Sequence, residues 1–139
     1  MEKPKFTPWK VLPLRLRPDQ DLRLSLEASV KAHQIQAGFI LTAVGSLTQA
    51  TLRLADQSDD ICVQQKFEIV SLGGTLSIYG IHLHLAVADS RGQTLGGHLQ
   101  AGCLIYTTAE IVLGISETHV FYRPIDPETG FRELDVQTR

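Results

Sequence analysis

Cysteine is scarce in this sequence: Cys62 and Cys103 are the only two in 139 residues. They show no CxxC spacing, so neither a zinc ribbon nor a disulfide scaffold is indicated. Both fall in apolar, strand-like stretches and are expected to be buried thiols, as free cysteine usually is. Neither has an electropositive neighbour in sequence that would mark a reactive thiolate, and no Ser-His-Asp or Cys-His order stands out. An excess of one charge is also lacking. Thirteen Lys+Arg against fifteen Asp+Glu leave a net charge of −2, with a pI near 6.2. Proteins that hold phosphate backbones by bulk charge are basic, so this balance disfavours DNA as a partner. The longest apolar run, near residues 37–44, is far too short to span a bilayer. The first residues carry charge with no apolar segment behind them, so no signal peptide is read. The expectation is a cytoplasmic protein with no membrane partner. Phosphate-loop patterns, GxxxxGK[ST] or GxGxxG, are missing as well.

What is present is an ordinary globular composition, 43% hydrophobic and 20% charged, with enough apolar surface for a packed core. The length fits one domain, read as residues 1–139 with a core at about 11–123 and a tail at 124–139. Leu12, Leu14 and Leu16 alternate with Pro13, Arg15 and Arg17, which reads as a strand that Pro13 confines to a sheet edge. Leu22, Leu26 and Val30 recur every four residues, with Asp19 as N-cap and Asp21 in the first turn. That predicts a helix over about 19–35, closed by Gly38. Strand signals follow at 39–44, ending in a Gly45-Ser46 turn, and at 49–55, 62–72, 80–89, 94–100, 104–115 and 119–123. The 62–72 strand is expected to close at Gly73-Gly74, and the tail from Pro124 reads as turns. One early helix followed by many strands gives an α+β fold with a mostly antiparallel sheet.

Three of the five histidines, His82, His84 and His98, fall in one hairpin. Residues two apart on a strand share a face, so His82 and His84 project together beside the small Ala86 and Ala88. If the turn is centred on Arg91, opposed residues sum to 182, and His84 faces His98. A one-residue slip would send His98 to the other face. Three clustered neutral imidazoles suit zinc or another borderline divalent metal, and leave a coordination position for water or a ligand. Glu110 and Tyr106 are the residues proposed to support or line this site. His33 and His119 carry no spacing argument.

These residues also carry a resemblance. Gly80-Ile81-His82-Leu83-His84, then Asp89, Gly92 and Gly96-Gly97-His98-Leu99, form a GxHxH…D..G…GGHL pattern. Arg17-Pro18 with Asp21-Leu22, Ala43-Val44-Gly45-Ser46-Leu47 with Thr51-Leu52-Arg53, the Glu68–Leu76 stretch, and Thr108-Ala109-Glu110 extend the match over about residues 11–115. Together they resemble the plants-and-prokaryotes conserved (PPC) domain, as a bacterial single-domain member. The resemblance implies an α+β fold assembled as a homotrimer. It also implies a metal held by the motif histidines, here His82, His84 and His98. Plant members join this domain to AT-hooks, and bacterial members are described as candidate DNA-binding proteins. This chain has no such hook. Arg15-Leu16-Arg17-Pro18 carries leucine where the hook needs glycine to lie in a narrow minor groove.

Three functional readings follow. The first is a homotrimeric, nucleoprotein-associated module, with scattered Arg15, Arg17, Lys31, Arg53 and Arg91 as phosphate contacts. The second is a metal-dependent enzyme or small-molecule-binding protein that uses the histidine site, with catalytic residues unassigned. The third is a structural trimer whose histidines only support packing.

Overall fold

A computed structural model describes residues 6–139. Residues 1–5, part of the segment inspected above for a signal peptide, lie outside the described residues. The elements are β1 (Trp9–Leu16), α1 (Leu22–Ala32), β2 (Gly38–Arg53), β3 (Asp60–Ser77), β4 (Gly80–Ala88), β5 (Thr94–Leu99), β6 (Leu104–Ser116), β7 (His119–Tyr122) and β8 (Asp135–Thr138). Six strands form one antiparallel sheet in the order β1-β6-β2-β3-β4-β5. An additional pairing, Leu52 with Leu99 and Arg53 with His98, joins β5 back to the end of β2. The sheet thereby closes on itself and holds the hairpin β4–β5 from both sides. β7 and β8 form a separate two-stranded ribbon.

The concave side is filled by alternating strand residues. Leu83, Leu85 and Val87 of β4 point inward with Leu47, Leu52, Leu76, Leu99, Ile105 and Leu113. Helix α1 packs against this core through Leu22, Leu26 and Val30, the four-residue spacing seen in the sequence. β1 lies at the sheet edge, so Pro13, which has no amide hydrogen to donate, interrupts no second ladder.

Several sequence expectations change here. The helix cap is Asp21, not Asp19: the Asp21 carboxylate accepts from the Leu24 amide, and Asp19 sits before it with a positive φ of 71°. Ile35 is buried but lies beyond the helix. Neither Gly45-Ser46 nor Gly73-Gly74 is a turn; β2 and β3 run straight through them. At Gly74 the backbone takes φ +136° and lies directly against the His82 carbonyl, a contact that any Cβ would obstruct. That glycine permits close strand approach rather than reversal. The tail is not turns alone, because β8 pairs with β7. Cys103 is buried as expected, but Cys62 is exposed, since it falls on the outward phase of β3 opposite Thr51. Among the described residues no helix is long and apolar enough to cross a membrane.

Candidate metal centre

The β4–β5 hairpin has the register expected from its turn: His84 pairs with His98 and Ala86 with Gly96. The turn is closed by the Gly92 amide donating to the Asp89 carbonyl, while the Asp89 carboxylate accepts from the Arg91 and Gln93 amides. On the other side His82 pairs with Thr75 and His84 with Gly73 of β3. All three imidazoles therefore stand on the outward face, while the leucines between them face the core. Their neighbours on that face are small, Gly73, Ala86 and Gly96, so the rings have room around them.

The rings converge. His82 and His98 are stacked at 5.5 Å, and His84 stands edge-on to both, at 5.2 and 4.7 Å. One ligand nitrogen from each lies within 4.8 Å of the others. Burial lowers the His82 pKa below its ordinary value, helped by the Arg123 guanidinium and the other two histidines; Glu133 opposes the shift. Burial also lowers His98, with Arg53 and His84 adding to it. Both shifts favour the neutral imidazole, the form that ligates metal. An all-nitrogen donor set fits zinc or a similar borderline ion, not magnesium or calcium, which take oxygen ligands.

Beside the triad lies a cavity of about 970 Å³ whose wall includes His82, His98, Arg53, Arg123, Arg132 and Glu133. Three of these residues come from the segment after β7, which the sequence reading assigned no role. The β7 strand that leads into it is anchored: the Ser77 hydroxyl donates to the Phe121 carbonyl (2.6 Å), and the Phe121 amide donates to the Gln36 carbonyl (2.8 Å). Arg123 Nη2 then donates to the Arg132 carbonyl (2.8 Å) and meets His82 Nδ1 at 3.4 Å. Nothing in the spacing could have pointed to Arg123, which lies 41 residues from His82.

The two residues expected to support the site are elsewhere. Glu110 and Tyr106 belong to β6, and β2 and β3 stand between β6 and the histidine strand β4. Glu110 is exposed opposite Arg15 and Val44, and the Tyr106 ring receives Lys66 Nζ at 4.5 Å. A carboxylate that does lie beside the triad is Glu133. His33 and His119 make local bonds, His33 Nδ1 to the Ser29 carbonyl and His119 Nδ1 to the Ser116 and Thr118 hydroxyls.

This geometry can be set beside known proteins. A 128-residue stretch is 58% identical to part of the bifunctional protein GlmU of Synechococcus sp. strain JA-2-3B'a(2-13), covering 92% of this chain and 20% of that protein. The chain thus spans about a fifth of the length of the curated relatives it matches. Among solved structures, a hypothetical protein of Salmonella cholerae-suis superposes with a TM-score of 0.94 at 38% identity, over 97% of this chain and 98% of its own. A metal-containing protein of Archaeoglobus fulgidus gives 0.81 at 24% identity, over 97% and 99%. A candidate DNA-binding protein of Bacteroides thetaiotaomicron gives 0.78 at 23% identity, over 94% and 98%. Residues 4–117 match the family model of the Plants and Prokaryotes Conserved (PCC) domain, and the chain, with its GxHxH and GGHL strands paired side by side, belongs to this family.

Proposed function

We propose that the chain holds a divalent metal ion, zinc, at His82, His84 and His98 and works as a homotrimeric ligand-binding module. The observation that carries this reading is the convergence of three imidazoles on one face, their nitrogens within 4.8 Å of one another, with His82 and His98 at the wall of a cavity. When bound, zinc supplies an open, Lewis-acidic position that polarises an oxygen of water or ligand. The chain's own residues do the rest. The hairpin, clamped between β2 and β3, orients the rings. Burial favours the neutral forms of His82 and His98. Glu133 shares a wall with His82 and His84 and would be the group to accept a ring N–H there. The Archaeoglobus protein, called metal-containing, supports the metal. A bifunctional protein that carries a closely similar stretch in a fifth of its length supports a module acting beside other activities.

Self-association is supported by the outward sheet face, where Trp9, Val11, Leu41, Val44 and Val70 are all substantially exposed. Apolar patches of this kind mark interfaces, and the occupant proposed is further copies of this chain. The metal reading is tested by elemental analysis of tag-free protein. About one zinc per chain is expected in the wild type and less than a tenth of that in His84→Ala; equal, sub-stoichiometric zinc in both would defeat it.

A nucleoprotein role is the second reading, supported by the name of the Bacteroides protein. The net charge of −2 weighs against it. Fluorescence anisotropy of a duplex titrated across salt separates the two, because phosphate contacts must produce a negative salt slope.

A further inference from the structure

The cavity beside the triad carries an arginine arrangement that metal binding alone does not use. Four guanidinium groups line it. Arg23 is committed to Glu27 (3.0 Å) and to the Leu99 carbonyl (2.8 Å), and Arg132 donates to the Arg123 carbonyl (3.2 Å). Arg53 and Arg123 are the pair next to the histidines, and Arg123 Nη2 also donates to the Arg132 carbonyl (2.8 Å). Among the described residues neither forms an ion pair, and Arg53 makes no side-chain hydrogen bond, although Asp56 and Glu133 share the same wall. The two stand on either side of the triad. Arg53 is paired in register with His98, and Arg123 reaches His82. Both are half-buried, so their charges are only partly dispersed by water. Cationic, planar donors without a carboxylate partner at a cavity wall are suited to an oxyanion of a ligand.

The contact between Arg123 and His82 adds a condition. A guanidinium only donates, so His82 Nδ1 must present its lone pair to Arg123 Nη2. A neutral imidazole has one lone pair to give. If His82 ligates through Nδ1, that lone pair goes to the metal. If it ligates through Nε2, Nδ1 carries the proton and faces the guanidinium with a hydrogen. In both cases the Arg123–His82 hydrogen bond is lost, and Arg123 Nη2 is left with a donor directed at the cavity.

We propose that Arg53 and Arg123 form the receptor for a small organic anion, carrying a carboxylate or phosphate, that becomes competent when the histidine triad takes its metal. This rests on the metal reading above. Metal and anion are then coupled, and each tightens the other by the same factor.

The test uses the full chain. Zinc content is measured first, for wild type, Arg53→Gln, Arg123→Gln and, as a control at the hairpin tip, Arg91→Gln. Succinate and inorganic phosphate are then titrated calorimetrically into metal-free and zinc-loaded protein. The expected result is tenfold or tighter binding of at least one probe to zinc-loaded than to metal-free wild type. Whichever probe binds identifies the anionic group. Both cavity variants should keep about one zinc per chain and lose tenfold or more in anion affinity, and Arg91→Gln should match wild type. Arg53→Gln breaks no hydrogen bond of the fold, so it reports even if Arg123→Gln is unstable. Zinc-loaded variants that bind the probes as wild type does, wild type that binds neither probe, or equal binding with and without zinc, would each overturn the proposal while leaving the metal reading intact. Wild type that takes up no zinc overturns the metal reading itself and the coupling with it.

Discussion

At Cys103 the thiol is enclosed completely and bonded on both sides: it donates to the Thr51 carbonyl and accepts from the Thr51 amide, each at 3.3 Å. Burial pushes its pKa up to about 11, against the Thr51 amide, which favours the thiolate. The unfolded chain ionises this thiol at a lower pH than the folded one. Stability linked to it is therefore complete below pH 9 and lost as pH rises toward 11. Over that window the loss is on the order of 2 kcal/mol by proton linkage. Urea unfolding at pH 8 and 10.5 should show a fall that is reduced in Cys103→Ala. Cys62, exposed, should react with a thiol reagent at pH 8 while Cys103 stays protected until unfolding. The same contrast shows what single residues reveal in a sequence. Both cysteines sit in apolar runs, yet Cys62 meets solvent through the phase of β3, while Cys103 is enclosed in the loop ahead of β6. The triad was legible because a hairpin is local: a two-residue period and a symmetric turn place His82, His84 and His98 together. Arg123 and Glu133 were not, because they arrive through a ribbon anchored to Ser77 and Gln36, far away in the chain.

Individual elements depend on a few polar and glycine positions that can be tested one at a time. Asp21 serves two elements: Oδ1 caps α1 at Leu24, and Oδ2 accepts from the Gly102 amide at 2.7 Å, ahead of β6. Asp21→Ala should cost about 1–3 kcal/mol, the value of a cap plus an orphaned amide, read from chemical denaturation. Gly74 and Gly97 let β3 and β2 approach the histidine hairpin. A Cβ at Gly97 would meet the Arg53 carbonyl at 2.7 Å, and one at Gly74 would collide with the carbonyl of His82. Gly74→Ala should destabilise the fold by roughly 3 kcal/mol or more, since φ and contact both oppose it. Its zinc occupancy should fall as His82 is displaced. These glycines explain why strand boundaries were read less well than strand existence. Apolar pattern and turn residues gave β4, β5 and β6 to within a residue at each end, whereas β1 begins three residues before the alternation at Leu12, and a Gly pair inside a long strand has the same local signature as a turn. Only the neighbouring backbone distinguishes them.

On the scale of the whole molecule, the outward face of the sheet divides into an apolar region and the histidine region. Val44 and Val70, each 56% exposed, lie on the apolar part. Because they contribute little to the core, Val44→Asp with Val70→Asp should leave the chain folded, with a stability change within about 1 kcal/mol. Sedimentation velocity should nonetheless move from a trimer to a monomer; a wild type that sediments as a monomer removes the self-association proposal. The fold class and the sheet's antiparallel character were readable from composition and period. The closure of the sheet through β2 and β5 was not, because it joins segments whose partners are specified by twist and length rather than by pattern. The connection of β1 bears on how the chain is made. Its only strand partner among the described residues is β6, whose pairing runs from Ala109 to Ser116. On a ribosome adding about 5–20 residues per second, the first strand waits roughly 5–20 s for that partner to be synthesised. Throughout that interval Leu12, Leu14 and Leu16 lack the β6 strand they pair with in the finished sheet, so the earliest made of the strands β1–β8 is docked only once β6 has emerged.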